Sequence, residues 1–122
     1  MDFDKGLIGG STVMLLLSLL DKKDCYGYEI IKELKDRSEN VFQFKEGTLY
    51  PVLHRMENAG LIKSYKKEAE TGKERKYYSI TIAGVEKLSE EKEKWIAFSL
   101  SVNKVIGGNS HAFALWFQQW SC

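Results

Sequence analysis

A single proline, two cysteines, two histidines and a net charge of only +1 in 122 residues remove several classes of function before any motif is sought. Cys25 and Cys122 are too few for a disulfide framework and lack the paired spacing of a zinc site, so both read as free thiols of a reducing compartment. His54 and His111 stand in no metal, triad or phosphate-loop spacing, and the plentiful carboxylates show no diagnostic pairing. No metal, no cofactor and no enzymatic activity are expected. The longest apolar run, Val13 to Leu20 broken by Ser18, is shorter than the roughly 20 residues that cross a bilayer. The start, with Asp2 and Asp4, lacks the basic region of a secretory signal, and the cytoplasm is the expected compartment.

Internal repeats and low-complexity segments are missing too, so the order of elements carries the reading. A hydrophobic share of 43% and a charged share of 29% support one packed domain. The near-zero net charge conceals an uneven distribution. Residues 1–41 carry six basic and eight acidic groups, residues 42–80 eight and five, and residues 81–122 four and four. The middle third is therefore +3 between segments of −2 and 0, a local basic face of the kind that phosphates require.

Periodicity predicts four helices and one hairpin: a mainly α fold with a small β-hairpin, α+β in class. The first helix spans roughly Ile8 to Leu20, apolar nearly all round and so buried on several sides. After the polar turn Asp21 to Asp24, a second helix covers Gly27 to Asp36, with Ile30, Ile31 and Leu34 inward. The third covers Glu46 to Asn58, with Leu49, Val52, Leu53 and Met56 at i, i+3, i+4 and i+7. Pro51 is read as a first-turn residue, where its missing amide does no harm. Ala59-Gly60 supplies the stop. Two strands follow, Leu61 to Glu68 and Glu74 to Thr81, joined by a charged tip. Thr81 is placed as the N-cap of a last helix that runs to Ile106.

Two helices in succession, the second apolar within and polar without, followed by a basic hairpin, are the parts of a winged helix-turn-helix. The outer face of the third helix offers Thr48, Tyr50, His54 and Arg55 to base edges or phosphates, with Pro51 beside them. Tyr50 and His54 are expected to give operator preference. The hairpin adds Lys63, Lys66, Lys67, Lys73, Arg75 and Lys76, long cations suited to phosphates beside the groove.

Tyr26-Gly-Tyr-Glu-Ile30, Glu46-Gly-Thr-Leu-Tyr-Pro51 and its continuation to Ile62, and Arg75-Lys-Tyr-Tyr-Ser-Ile-Thr81 followed by Gly84 resemble the signature stretches of the PadR-like transcriptional regulators. The resemblance covers roughly residues 8–106. It implies a homodimeric winged helix-turn-helix repressor of an inverted-repeat operator in double-stranded DNA, with Thr48, Tyr50 and Pro51 in the recognition helix and Lys73, Arg75 and Lys76 at or near the wing tip.

In the last helix Val85, Leu88, Lys92, Trp95, Ser99, Val102 and Ile106 follow steps of three and four, a coiled-coil seam that wants a partner helix. A two-fold dimer is the economical partner. The seam is irregular at its centre, where Trp95 lies between Lys92 and Ser99. Either Trp95 fills the interface, or Trp95, Phe98 and Ser99 line a cavity for a flat aromatic effector. The expected divisions are residues 1–80 for DNA binding, 81–106 for dimerisation and 107–122 for an uncharged apolar tail. The rival reading is a winged-helix module that binds another protein and has weak or no affinity for DNA.

Overall fold

The computed structural model describes residues 11–107. Their elements run α1 (Thr12–Lys22), β1 (Cys25–Tyr26), α2 (Gly27–Arg37), α3 (Glu46–Asn58), β2 (Ile62–Glu68), β3 (Glu74–Ile80) and α4 (Ile82–Ile106). All four expected helices and the hairpin are present, and the α+β class holds. The start of the first helix at Ile8, and His111, Cys122 and the tail beyond Gly107, lie outside the described residues. One element was not expected. β1 pairs antiparallel with β3, Cys25 opposite Tyr78 and Tyr26 opposite Tyr77, which gives a three-stranded sheet in the order β1-β3-β2. Two residues are too few to display a period of two, so only the pairing reveals this strand.

The core forms where the apolar faces of α1, α2, α3 and the sheet meet. Leu16, Leu17 and Leu20 of α1, Ile30 of α2, Leu49 and Leu53 of α3 and Ile62 of β2 are fully buried. Each such side chain contributes about 1.5–3 kcal/mol by leaving water. Cys25 belongs to the same cluster; burial, with Glu29 nearby, pushes its thiol up to about 11. It therefore stays an inert thiol at neutral pH.

α3 is bounded by local chemistry at its end and tolerates a defect inside. Gly60 takes a φ of +77°, its amide donates to the Glu57 carbonyl and the Leu61 amide to that of Met56, a Schellman closure. Pro51 is not in the first turn: α3 starts at Glu46, and Pro51 lies within the helix. It removes the donor for the Gly47 carbonyl and crowds it. Gly47 is exposed with open space beside it, so water can serve that carbonyl and the helix continues. The connection from α2 to α3 spans residues 38–45, close to the gap left between the two expected helices. Ser38 donates to the Leu34 carbonyl at 2.7 Å and accepts the Phe42 amide at 2.8 Å, Glu39 and Asn40 turn the chain at positive φ, and Phe44 reaches the core.

Thr81 caps α4 as expected, accepting the Gly84 amide at 3.0 Å. Its hydroxyl also lies 2.7 Å and 2.9 Å from the carbonyls of Gly60 and Leu61. Gly84 is buried at this junction, where any Cβ would overlap the Leu61 carbonyl. The chain divides into compact units between Ser89 and Glu90, later than the expected boundary after residue 80, because the first turns of α4 are built into the winged unit. Leu88 is part of that core at 3% exposure. Its assignment to an intersubunit seam is thereby corrected: the chain's own core already covers it.

Candidate nucleic-acid interface

Burial of Leu49, Leu53 and Met56 fixes which side of α3 faces out. Thr48, Pro51, His54 and Arg55 stand exposed there, as expected for a helix that reads a groove. Tyr50 differs. At 43% exposure it leans toward the first residue of α2, and a Cβ on Gly27 would overlap its hydroxyl and ring. Glycine at position 27 is what lets this tyrosine lie down. Burial first, then the nearby Glu46 and Tyr78, holds its hydroxyl above the ordinary tyrosine pKa, so it remains a donor at neutral pH.

The hairpin register sorts the wing side chains onto two faces. Ile62, Ser64 and Lys66 share a face with Tyr78 and Lys76, whereas Tyr65 and Lys67 share the other with Tyr77 and Arg75. On the first face the wing is tied to the end of α3. Ser64 donates to a Glu57 carboxylate oxygen at 2.5 Å, and Lys76 lies 3.9 Å from the other oxygen and 5.4 Å from the Tyr78 ring centroid. Lys66 pairs with Glu74 at 3.5 Å.

On the second face the cations rest on rings. Tyr65 and Tyr77 stack with centroids 5.7 Å apart, and Tyr26 meets Tyr77 edge-on at 5.5 Å. The Arg75 guanidinium sits 4.3 Å over Tyr26, and Lys67 5.7 Å over Tyr77. Each such contact is worth about 0.5–1 kcal/mol where exposed, enough to bias a side chain without fixing it. Tyr65 donates to Asp24 at 2.5 Å, and this hydrogen bond is the main reason its hydroxyl is pushed up to about 12. Lys73, at the turn closed by the Ala69 amide on the Lys73 carbonyl, has no carboxylate partner among the described residues.

The two elements meet in a groove of about 470 Å³. Tyr50 of α3, Gly27 and Tyr28 of α2, and Lys73, Arg75 and Lys76 of the hairpin line it, with Tyr26 and Tyr78 behind. Thus six of the ten expected DNA-contacting residues are not in this groove: Thr48, Pro51, His54 and Arg55 lie along α3, with Lys66 and Lys67 divided between the wing faces and Lys67 on the ring side, while Tyr50, Lys73, Arg75 and Lys76 converge. The sequence reading missed the supporting residues Gly27, Glu57, Tyr65 and Tyr77. The Tyr26-Gly-Tyr stretch was visible, but nothing local shows that it faces α3.

In α4, Val85, Trp95, Val102 and Ile106 are exposed, and Lys92 and Ser99 are half-buried. The rings of Trp95 and Phe98 lie 6.4 Å apart, tilted by 35°.

Comparison with known proteins decides the family. Residues 16–90 match the model of the transcriptional regulator PadR-like family. The chain belongs to the PadR-like family. The Mycobacterium tuberculosis transcriptional regulator Rv3488 is 34% identical over 88 residues, 72% of this chain and 76% of that protein. A PadR-like transcriptional regulator from Bacillus cereus shares 32% identity with a TM-score of 0.76, over 86% of this chain and all of that one. A transcriptional regulator from Clostridium thermocellum shares 38% identity with a TM-score of 0.75, over 82% and 97% of the two chains. PadR-like regulators act on transcription by binding DNA and are not enzymes. No helix among the described residues is long and apolar enough to cross a membrane.

Proposed function

We propose that this PadR-like protein is a homodimeric repressor that reads an inverted-repeat operator with the exposed side of α3 and holds the flanking phosphates with its wing. The observation that carries the reading is the convergence of α3 and the hairpin on one cation-lined groove, with Thr48, His54 and Arg55 exposed along the same helix. His54 and Arg55 hydrogen-bond base edges; Lys66, Lys67 and Lys73 take phosphates. Val85, Lys92, Trp95, Ser99, Val102 and Ile106 meet a second copy, which sets two recognition helices about 34 Å apart.

DNA selected from random pools by the purified protein tests this. Two half-sites related by two-fold symmetry, about 10 base pairs between centres, are expected. Affinity for the selected site should fall steeply between about 50 and 200 mM salt. Absence of binding to every duplex at about 50 mM salt would instead favour a module that binds another protein. The exposed Trp95–Phe98 pair supports an aromatic effector as the inducer. Quenching of Trp fluorescence by flat aromatic compounds, together with weaker operator binding, is the expected result. No quenching and unchanged affinity would remove the inducer from the scheme.

A further inference from the structure

The groove between α2 and the wing has a composition that reading bases does not require. Every polar side chain on its wall is a cation or a tyrosine, and no carboxylate lines it. Its cations come from one strand edge. β1 pairs with β3 only as far as Tyr77, so on that side β3 runs bare past Lys76 and Arg75 toward Lys73. Strand alternation would send Arg75 and Lys76 to opposite faces, yet both reach the groove because no neighbouring strand separates them there.

The tyrosines complete a set of donors. Tyr50 lies toward Gly27 and away from the outward line of His54 and Arg55, and Tyr78 is buried at the back. Burial holds both hydroxyls above the ordinary tyrosine pKa, so they offer protons and carry no charge. Gly27 and Tyr28 open α2, and the amides of a first helical turn have no acceptor within the helix. Three cations, neutral hydroxyl donors and a wall without carboxylates match an oxyanion bearing several acceptor oxygens.

We infer that this groove seats a phosphate of the DNA backbone, with Lys76, Arg75 and the Tyr50 hydroxyl as its ligands, and that Tyr50 is a phosphate contact, not a base reader. The inference rests on the DNA-binding reading proposed above and assigns a particular place within it. It revises the expectation that Tyr50 gives operator preference. The volume of about 470 Å³ accommodates a phosphodiester together with flanking sugar, whereas α3 keeps its exposed residues for the bases. Glu57, 3.9 Å from Lys76, holds the cation beside the groove until a phosphate takes its place.

The test uses the full chain and the duplex selected from random pools. Tyr50→Phe keeps the ring against Gly27 and removes only the hydroxyl; Lys76→Gln removes one charge. Both should weaken the selected duplex and a scrambled duplex by one common factor, roughly threefold to tenfold, leaving their ratio unchanged. Lys76→Gln should also reduce the salt slope by about one. Single methylphosphonate linkages placed along the selected duplex should reveal one position per half-site that weakens the wild-type protein and adds nothing to the loss in Lys76→Gln. Loss of affinity for the selected duplex alone in Tyr50→Phe would overturn the assignment. So would a scan in which every neutral linkage weakens Lys76→Gln as much as wild type.

Titration of the DNA-free protein with inorganic phosphate, followed by amide NMR at Gly27 and Tyr50, separates a backbone phosphate from a free one. No saturation below about 1 mM is expected; saturation below it would assign the groove to a free phosphate compound and overturn the inference. If wild type retains no duplex at all at about 50 mM salt, the DNA-binding reading itself fails, and that is seen before any variant is made.

Discussion

α3 and the wing hairpin both present polar groups to the same groove, but they are held by different forces. α3 is fixed through its backbone, because Leu49, Leu53 and Met56 are buried and Thr48, His54 and Arg55 are left exposed. The distal hairpin has no core beneath it: from Tyr65 to Lys76 its residues are mostly exposed, and its cations are placed by rings and carboxylates. Hydrophobic burial does not rest on charges that salt can screen, whereas exposed ion pairs and cation–π contacts are weak and screened. The pair therefore combines a rigid helix with adjustable charge. On the DNA-binding reading proposed above, discrimination falls to the first and total affinity to the second.

The largest effect should follow from attacking the rigid half. Leu53→Ala should cost about 2–5 kcal/mol of stability and lower the melting temperature by more than about 8 °C in a thermal denaturation series. Lys73→Ala in the same series should move it by less than about 2 °C. Equal shifts would break the comparison. Next in size is Gly27→Ala, whose new methyl displaces Tyr50: a loss of about 1–3 kcal/mol in stability is expected, with weaker binding to every duplex. Unchanged affinity would show that the resting position of Tyr50 is irrelevant to binding.

The comparison is sharpened by two variants measured together on selected and scrambled duplexes. His54→Ala should lose about 1–3 kcal/mol of discrimination, and Lys73→Ala should weaken both duplexes alike while lowering the salt slope by about one. Exchange of these two behaviours would show that reader and charge carrier had been assigned backwards. The smallest effect is reserved for Glu57→Gln. It keeps an acceptor for Ser64 and removes the ion pair to Lys76, so binding at low salt should tighten by up to about threefold. Weaker binding would mean that Glu57 orients the wing more than it restrains the cation.

What the sequence made legible is what local chemistry determines. The stripe of α3, its Gly60 stop and the Thr81 cap depend on residues within a few positions of each other, and all three stand where periodicity and cap residues put them. Pro51 was misread because its rule concerns the helix interior in general, while the cost depends on whether the abandoned carbonyl faces water, as at exposed Gly47. The supports of the site depend on contacts that no window contains. Tyr65 reaches Asp24 across 41 positions, and Gly27 makes room for Tyr50 from another helix. The Leu88 position kept its seam spacing and was still taken by the nearer core, since a periodic stripe records which side is apolar and not which neighbour covers it.

The junction at Thr81 has a mechanical consequence. One hydroxyl ties the first turn of α4 to the carbonyls of Gly60 and Leu61, where α3 has just ended, and Gly84 closes the remaining gap against Leu61. The start of α4 is thus pinned directly to the residues that close α3. A torque applied anywhere along the first turns of α4 arrives at the C-terminal end of α3, and Thr81 is its fulcrum.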